Sequence, residues 1–150
     1  MDVRFKHPFT CMIAGPTKLG KTSFTFQLID EAQEQITPPP ERIMYCYGEY
    51  QSIFNNYPHI NFNEGLPNNK EFDGKRRTLL ILDDLMKEAG DSVLDIFTKL
   101  SHHRNVSVNF LTQNLFFKSK QSRTMNINTQ YIVLFKNPSC LLYTSPSPRD

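Results

Sequence analysis

Residues Gly15 to Thr22 read GPTKLGKT and fit the spacing G-x-x-x-x-G-K-[ST]. In that spacing the glycines permit tight backbone turns, while successive amides and the N-terminus of a following helix face an anion. The lysine reaches the β- and γ-phosphates of a nucleotide, and the final hydroxyl coordinates Mg²⁺. The nucleotide-binding candidates are therefore Gly15, Pro16, Thr17, Lys18, Leu19, Gly20, Lys21, Thr22 and Ser23, with Lys21 as the reaching cation and Thr22 as a metal ligand. The motif needs a strand before it and a helix after it; elsewhere the same letters make an ordinary Gly-Lys turn.

A second candidate is the carboxylate pair ending LLILDD, Asp83 and Asp84. A carboxylate at the end of a buried strand is costly without a partner. Either a hydrated Mg²⁺ is that partner, with Asp83 holding the metal and Asp84 polarising an attacking water, or the pair caps the following turn. Asp84 is one methylene shorter than the Glu common in that role.

The run SVNFLTQN ends in Thr112, Gln113 and Asn114. If its strand ends beside the phosphates, Gln113 can hydrogen-bond both the γ-phosphate and the attacking water; otherwise the polar ending serves solvation. Ahead of the run stands SHHRN. His102 and His103 point apart and lack a carboxylate to complete a metal site, whereas Arg104 is either a surface residue or a finger reaching a neighbouring subunit. Lys118, Lys120 and Arg123 in FFKSKQSRT would lie in a loop at the nucleotide edge, as DNA-backbone contacts or as solvated charge, and Arg123 is a second candidate finger.

Five apolar runs of strand type must position these residues: 9–14, 42–47, 78–84, 106–113 and 130–135. Between the first two, KTSFTFQLIDEAQEQI places Phe24, Leu28, Ile29 and Ala32 at helical spacing before TPPP stops it. Between the third and fourth, DSVLDIFTKLSHH puts Val93, Leu94, Phe97 and Leu100 on one face, with Asp91 at its start. Strands alternating with helices predict a three-layer α/β/α domain with a mostly parallel sheet. The order of the runs predicts that the fourth strand lies between the first and the third. Residues 51–77 are polar and Asn-rich, and read as loop with one short helix or strand.

The whole chain has 150 residues, a formal charge of +2, 39% hydrophobic and 21% charged residues, twelve Phe and no Trp, which describes one globular domain rather than a disordered or strongly basic chain. No apolar run approaches the roughly 18 residues of a membrane span, and no signal peptide is read at the start. Cys11, Cys46 and Cys140 are isolated from one another and imply a reducing, intracellular compartment rather than secretion. Residues 1–138 form the expected domain; the Ser/Pro-rich tail 139–150 reads as disordered or non-native, on a domain truncated at its C-terminus.

Taken together, PFTCMIAGPTKLGKTSF, IMYCYGEYQSIF, LLILDDLM, FTKLSHHRNVSVNFLTQNLF and QYIVLFKN resemble the genome-packaging ATPases of the FtsK–HerA superfamily, in particular those of Polinton or adintovirus-type elements and related large DNA viruses, the poxvirus-like packaging ATPases. The resemblance runs over roughly residues 5 to 137 in matching order. It implies a P-loop NTPase of RecA/ASCE type that hydrolyses ATP with Mg²⁺. By this likeness Lys21 and Thr22 are the Walker A pair, Asp83 and Asp84 the Walker B pair, Gln113 the sensor and Arg104 the finger. It implies a homo-oligomeric ring translocating double-stranded DNA into a capsid, with capsid or portal protein as a further partner, in the host nucleus or a cytoplasmic virus factory. Two departures stand out: Asn109 interrupts the central strand, and the likeness ends after FKN. Other classes compatible with GKT are a P-loop nucleotide kinase, which needs a lid with several arginines, and a non-catalytic nucleotide-binding interaction module.

Overall fold

The computed structural model describes residues 4–16, 18–85, 93, 95–100, 104–113, 129–135 and 140–144, of which 18, 19, 97, 98 and 140–144 are described by backbone alone. Its strands are β1 (Phe5–Lys6), β2 (Thr10–Ala14), β3 (Ile36–Thr37), β4 (Arg42–Tyr47), β5 (Asn61–Glu64), β6 (Thr78–Asp83), β7 (Val106–Thr112), β8 (Tyr131–Phe135) and β9 (Cys140–Thr144). Two helices, α1 (Lys18–Asp30) and α2 (Ala32–Gln35), follow β2.

Seven strands form one sheet in the order β5-β4-β6-β7-β2-β8-β9, parallel except where β9 runs antiparallel to β8. The chain is thus α/β with a mostly parallel sheet. β7 lies between β2 and β6, the position its place in the sequence predicts. Every residue of β2, β6 and β7 is buried, because both faces of these strands are covered. On one face Cys11, Ile13, Leu79, Ile81 and Leu111 pack with Phe24, Phe26, Leu28 and Ile29 of α1. On the other, Met12, Leu80, Leu82, Val108 and Phe110 pack with Val93, Ile96 and Leu100.

Four local features differ from the sequence expectation. α1 begins at Lys18, ahead of Gly20, because Lys and Leu are good helix formers, so the helix starts sooner than a loop reaching Gly20 would allow. The helix does not continue to TPPP in one piece: Glu31 leaves helical geometry at φ −104 and ψ 14, and Ile36–Thr37 pair with β1 instead. Residues 51–77 contribute β5, a parallel edge strand on β4, as well as two 3-10 turns, Ser52–Asn56 and Asn69–Glu71. Within the Ser/Pro-rich tail, Cys140–Thr144 pairs along β8. Between Val93 and Leu100 the chain closes on a π-helical turn, Ile96–Leu100. Among the described residues no helix is long and apolar enough to cross a membrane.

Candidate functional site

In a parallel sheet the strands end together, so β2, β6 and β7 bring Ala14, Asp83 and Thr112 to one edge. This is the edge at which open α/β sheets bind ligands. As the chain leaves β2, the Gly15 N–H donates to the Thr112 carbonyl at 3.2 Å. From the first turns of α1, Lys21 Nζ returns to donate to the same oxygen at 3.0 Å. Gly15 is glycine for a packing reason: a Cβ there would come within 2.8 Å of both the Cβ and the carbonyl oxygen of Phe135, at the end of β8.

Lys21 is only 4% exposed and Thr22 6%, so an ammonium and a hydroxyl are withdrawn from water at the start of a helix whose first turn carries no acidic residue. The partial positive charge of that helix end and the ammonium together favour an anion. Asp83, 9% exposed, ends β6 close by. Its Oδ2 accepts the Tyr45 hydroxyl at 2.7 Å and Gln51 Nε2 at 3.1 Å. The other end of the same carboxamide, Gln51 Oε1, accepts from Thr22 Oγ1 at 3.4 Å. One glutamine therefore links the hydroxyl after β2 to the carboxylate after β6.

Tyr45 is fixed by its ring, which stacks on Phe26 at 5.4 Å between centroids and meets Phe54 at 5.0 Å and Phe62 at 5.5 Å. Burial first, then the Asp83 charge and the hydrogen bond to it, push the phenol far above its ordinary range, so Tyr45 remains a donor. Thr22 and Asp83 offer hard oxygen atoms. Among the described residues no group of three or more His, Cys, Asp or Glu is placed to hold a metal by itself. A hydroxyl plus one carboxylate is the protein share of a site that a phosphate ligand would complete.

Asp84 adopts φ 57, a left-handed geometry that Asp tolerates better than most residues, and its N–H donates to the Leu111 carbonyl at 3.1 Å. Its side chain is exposed, next to the buried Asp83. Gln113 is exposed next to Thr112, and Pro16 and Ser23 are exposed flanks of the motif. Arg104 lies at the opposite edge, at the start of β7, a strand of seven residues or roughly 20 Å of sheet away from this group. Its Nη1 donates to the Phe72 carbonyl at 2.7 Å while the residue stays exposed. Thr17, His102, His103, Asn114, Lys118, Lys120 and Arg123, and the side chains of Lys18 and Leu19, lie outside the described residues.

The structure thus gathers Gly15, Lys21, Thr22, Asp83, Asp84 and Gln113 at one edge and sets Arg104 apart. No protein-family model matches the chain, and no curated protein matches it. Sequence reading missed Gln51 and the hydroxyl of Tyr45. The only signal for Tyr45 was a polar tip in a run destined for burial, which needs a partner; Gln51 sits in a polar loop without any spacing to mark it. Two surface depressions of about 280 Å³ open elsewhere, one beside Leu66–Asn69 and the other around His7 and Tyr131, and neither borders Lys21 or Asp83.

Proposed function

We propose that the chain is the ATP-hydrolysing domain of a motor that packages double-stranded DNA, a P-loop NTPase of RecA/ASCE type. The observation that carries this reading is that Lys21 and Thr22, from the helix after β2, meet Asp83 at the end of β6 on one sheet edge with β7 between, Lys21 bonded to Thr112 and Thr22 linked to Asp83 through Gln51. The ordered likeness of the sequence to packaging ATPases supports the motor assignment.

In this reading Lys21 and the N-terminal amides of α1 bind the β- and γ-phosphates, and Thr22 and Asp83 would hold Mg²⁺. A cation held there would neutralise charge on the phosphate oxygens. Asp84 takes a proton from the water that attacks the γ-phosphorus; the bond to the β,γ-bridging oxygen breaks, leaving ADP and inorganic phosphate. Gln113 orients that water and registers loss of the γ-phosphate at the end of the central strand. Arg104, remote from its own chain's site, acts on the nucleotide of a neighbouring subunit in a homo-oligomeric ring. Capsid or portal protein would receive the DNA, in the host nucleus or a cytoplasmic virus factory.

The test is steady-state ATP hydrolysis with and without long double-stranded DNA, beside Lys21→Ala. The reading expects DNA-stimulated turnover that Lys21→Ala abolishes. ATP binding without turnover would replace the motor by a nucleotide-binding interaction module, and ADP formation that depends on an added nucleoside monophosphate would replace it by a kinase.

A further inference from the structure

Gln51 spends both ends of its carboxamide on the proposed site. The Thr22 hydroxyl has one proton and directs it to Gln51 Oε1, which turns the oxygen lone pairs away from the amide and leaves them for a cation. Gln51 Nε2 and the Tyr45 hydroxyl both donate to Asp83 Oδ2, so one carboxylate oxygen is held by two donors. The two ends of the amide are unequal. At 3.4 Å the Thr22 end is longer than an ordinary O–H···O bond, whereas 3.1 Å at the Asp83 end is within the N–H···O range. The hydroxyl end yields first when a cation enters, and Asp83 stays aimed.

Both groups hang from one aromatic cluster. Gln51 immediately precedes the 3-10 turn Ser52–Asn56, whose buried Phe54 packs on Tyr45 at 5.0 Å and stacks on Phe62 at 4.5 Å. The Tyr45 ring is in turn stacked on Phe26 of α1, the helix that carries Lys21 and Thr22. The loop donor, the strand donor and the helix hydroxyl are thereby held to a common support.

We infer that Gln51 and Tyr45 are positioning residues for the divalent cation that accompanies the nucleotide, acting through Thr22 and Asp83. The inference rests on the reading of this edge as a Mg·ATP site. Groups that orient metal ligands from behind change metal affinity about 10- to 100-fold when removed. Binding of the nucleotide itself, carried by Lys21 and the helix amides, does not pass through them.

The experiment is ATP affinity by equilibrium dialysis, in Mg²⁺ and again in EDTA, for wild type, Tyr45→Phe and Gln51→Met. Tyr45→Phe removes one hydroxyl and keeps the packed ring; Gln51→Met keeps length and removes both hydrogen-bonding ends. The tightening of ATP binding by Mg²⁺ should shrink about tenfold or more in each variant, with affinity in EDTA unchanged. Wild-type Mg²⁺ dependence in both variants overturns the inference, as does an equal loss in Mg²⁺ and EDTA, which is the mark of general damage to the fold. If wild type binds no ATP, the nucleotide-site reading fails and takes the inference with it, an outcome separate from either of those.

Discussion

Lys21 Nζ donates to the carbonyl oxygen of Thr112 at 3.0 Å, so the cation that follows β2 is tied to the last residue of the central strand β7. Gln113 is the next residue. A change at the phosphate-binding end of Lys21 is therefore felt one residue away from the group proposed to watch the γ-phosphate.

Gln113→Ala should consequently lower kcat for ATP hydrolysis by about a hundredfold or more, the usual effect of deleting one oriented donor, with ATP affinity near wild type. Single-turnover kinetics beside equilibrium binding separate the two quantities. A matched loss of affinity would place Gln113 in binding instead.

Asn109 sits in the middle of β7, 0% exposed, between Cys11 and Ile81, and neither its Oδ1 nor its Nδ2 has a hydrogen-bond partner among the described residues. An unsatisfied buried amide costs about 1–3 kcal/mol. Asn109→Val, β-branched and apolar, should raise stability by about that amount, and Tm by roughly 2–4 °C for each kcal/mol. A calorimetric scan with unchanged or lower Tm would show that the amide is not a liability.

At the other sheet edge His7 Nε2 meets Asn105 Oδ1 at 2.8 Å and Nδ1 meets Ser107 Oγ at 2.6 Å. Because the Asn105 oxygen only accepts, Nε2 carries the proton and Nδ1 accepts from the Ser107 hydroxyl, whose oxygen also takes the Phe9 N–H at 3.1 Å. Burial lowers the His7 pKa from the ordinary 6.5, and the nearby Arg77 charge acts the same way, against the hydrogen bond that His7 donates to Asn105, which raises it. The unfolded chain then binds the proton more readily, so His7 contributes stability that is complete above about pH 6.5 and is lost as pH falls from there through the lower, folded value. Denaturant unfolding at pH 7.5 and at 5.5 should show this fall in wild type, and a smaller one in His7→Gln. Equal pH dependence in the two proteins would assign the fall to other groups.

Gly15→Ala places a methyl group 2.8 Å from the Cβ and carbonyl oxygen of Phe135. Backbone cannot withdraw as a flexible side-chain tip would, and overpacking of this kind costs about 1–3 kcal/mol. Thermal unfolding should register a lower Tm even without nucleotide. An unchanged Tm would mean that β8 shifts freely at Phe135.

The central sheet was legible because strands buried on both faces are written as apolar runs, most clearly LLIL at 79–82, and even VSVNFLT at 106–112 is mostly apolar. The central place of β7 followed from their order. β5 was not legible, since Asn61–Glu64, NFNE, lies at the sheet edge and needs no apolar alternation. The start of α1 at Lys18 was hidden by the turn that Gly15–Gly20 suggests, and its break at Glu31 by an apolar pattern that ran on to Ile36. At the site, Lys21 and Thr22 were marked by motif spacing, and Asp83 by a carboxylate closing an apolar run. Gln51 and Tyr45 were not, because their roles arise where a loop and a neighbouring strand fold over Asp83, a relation that no spacing in the chain records.

The most direct measurement is ATP binding in Mg²⁺ by wild type and by Lys21→Ala, with far-UV circular dichroism to establish that both are folded. The account predicts saturable binding by wild type, weakened at least about tenfold in the variant, as loss of a charge-assisted hydrogen bond to phosphate requires. Equal binding by the two folded proteins, or none by wild type, would contradict it.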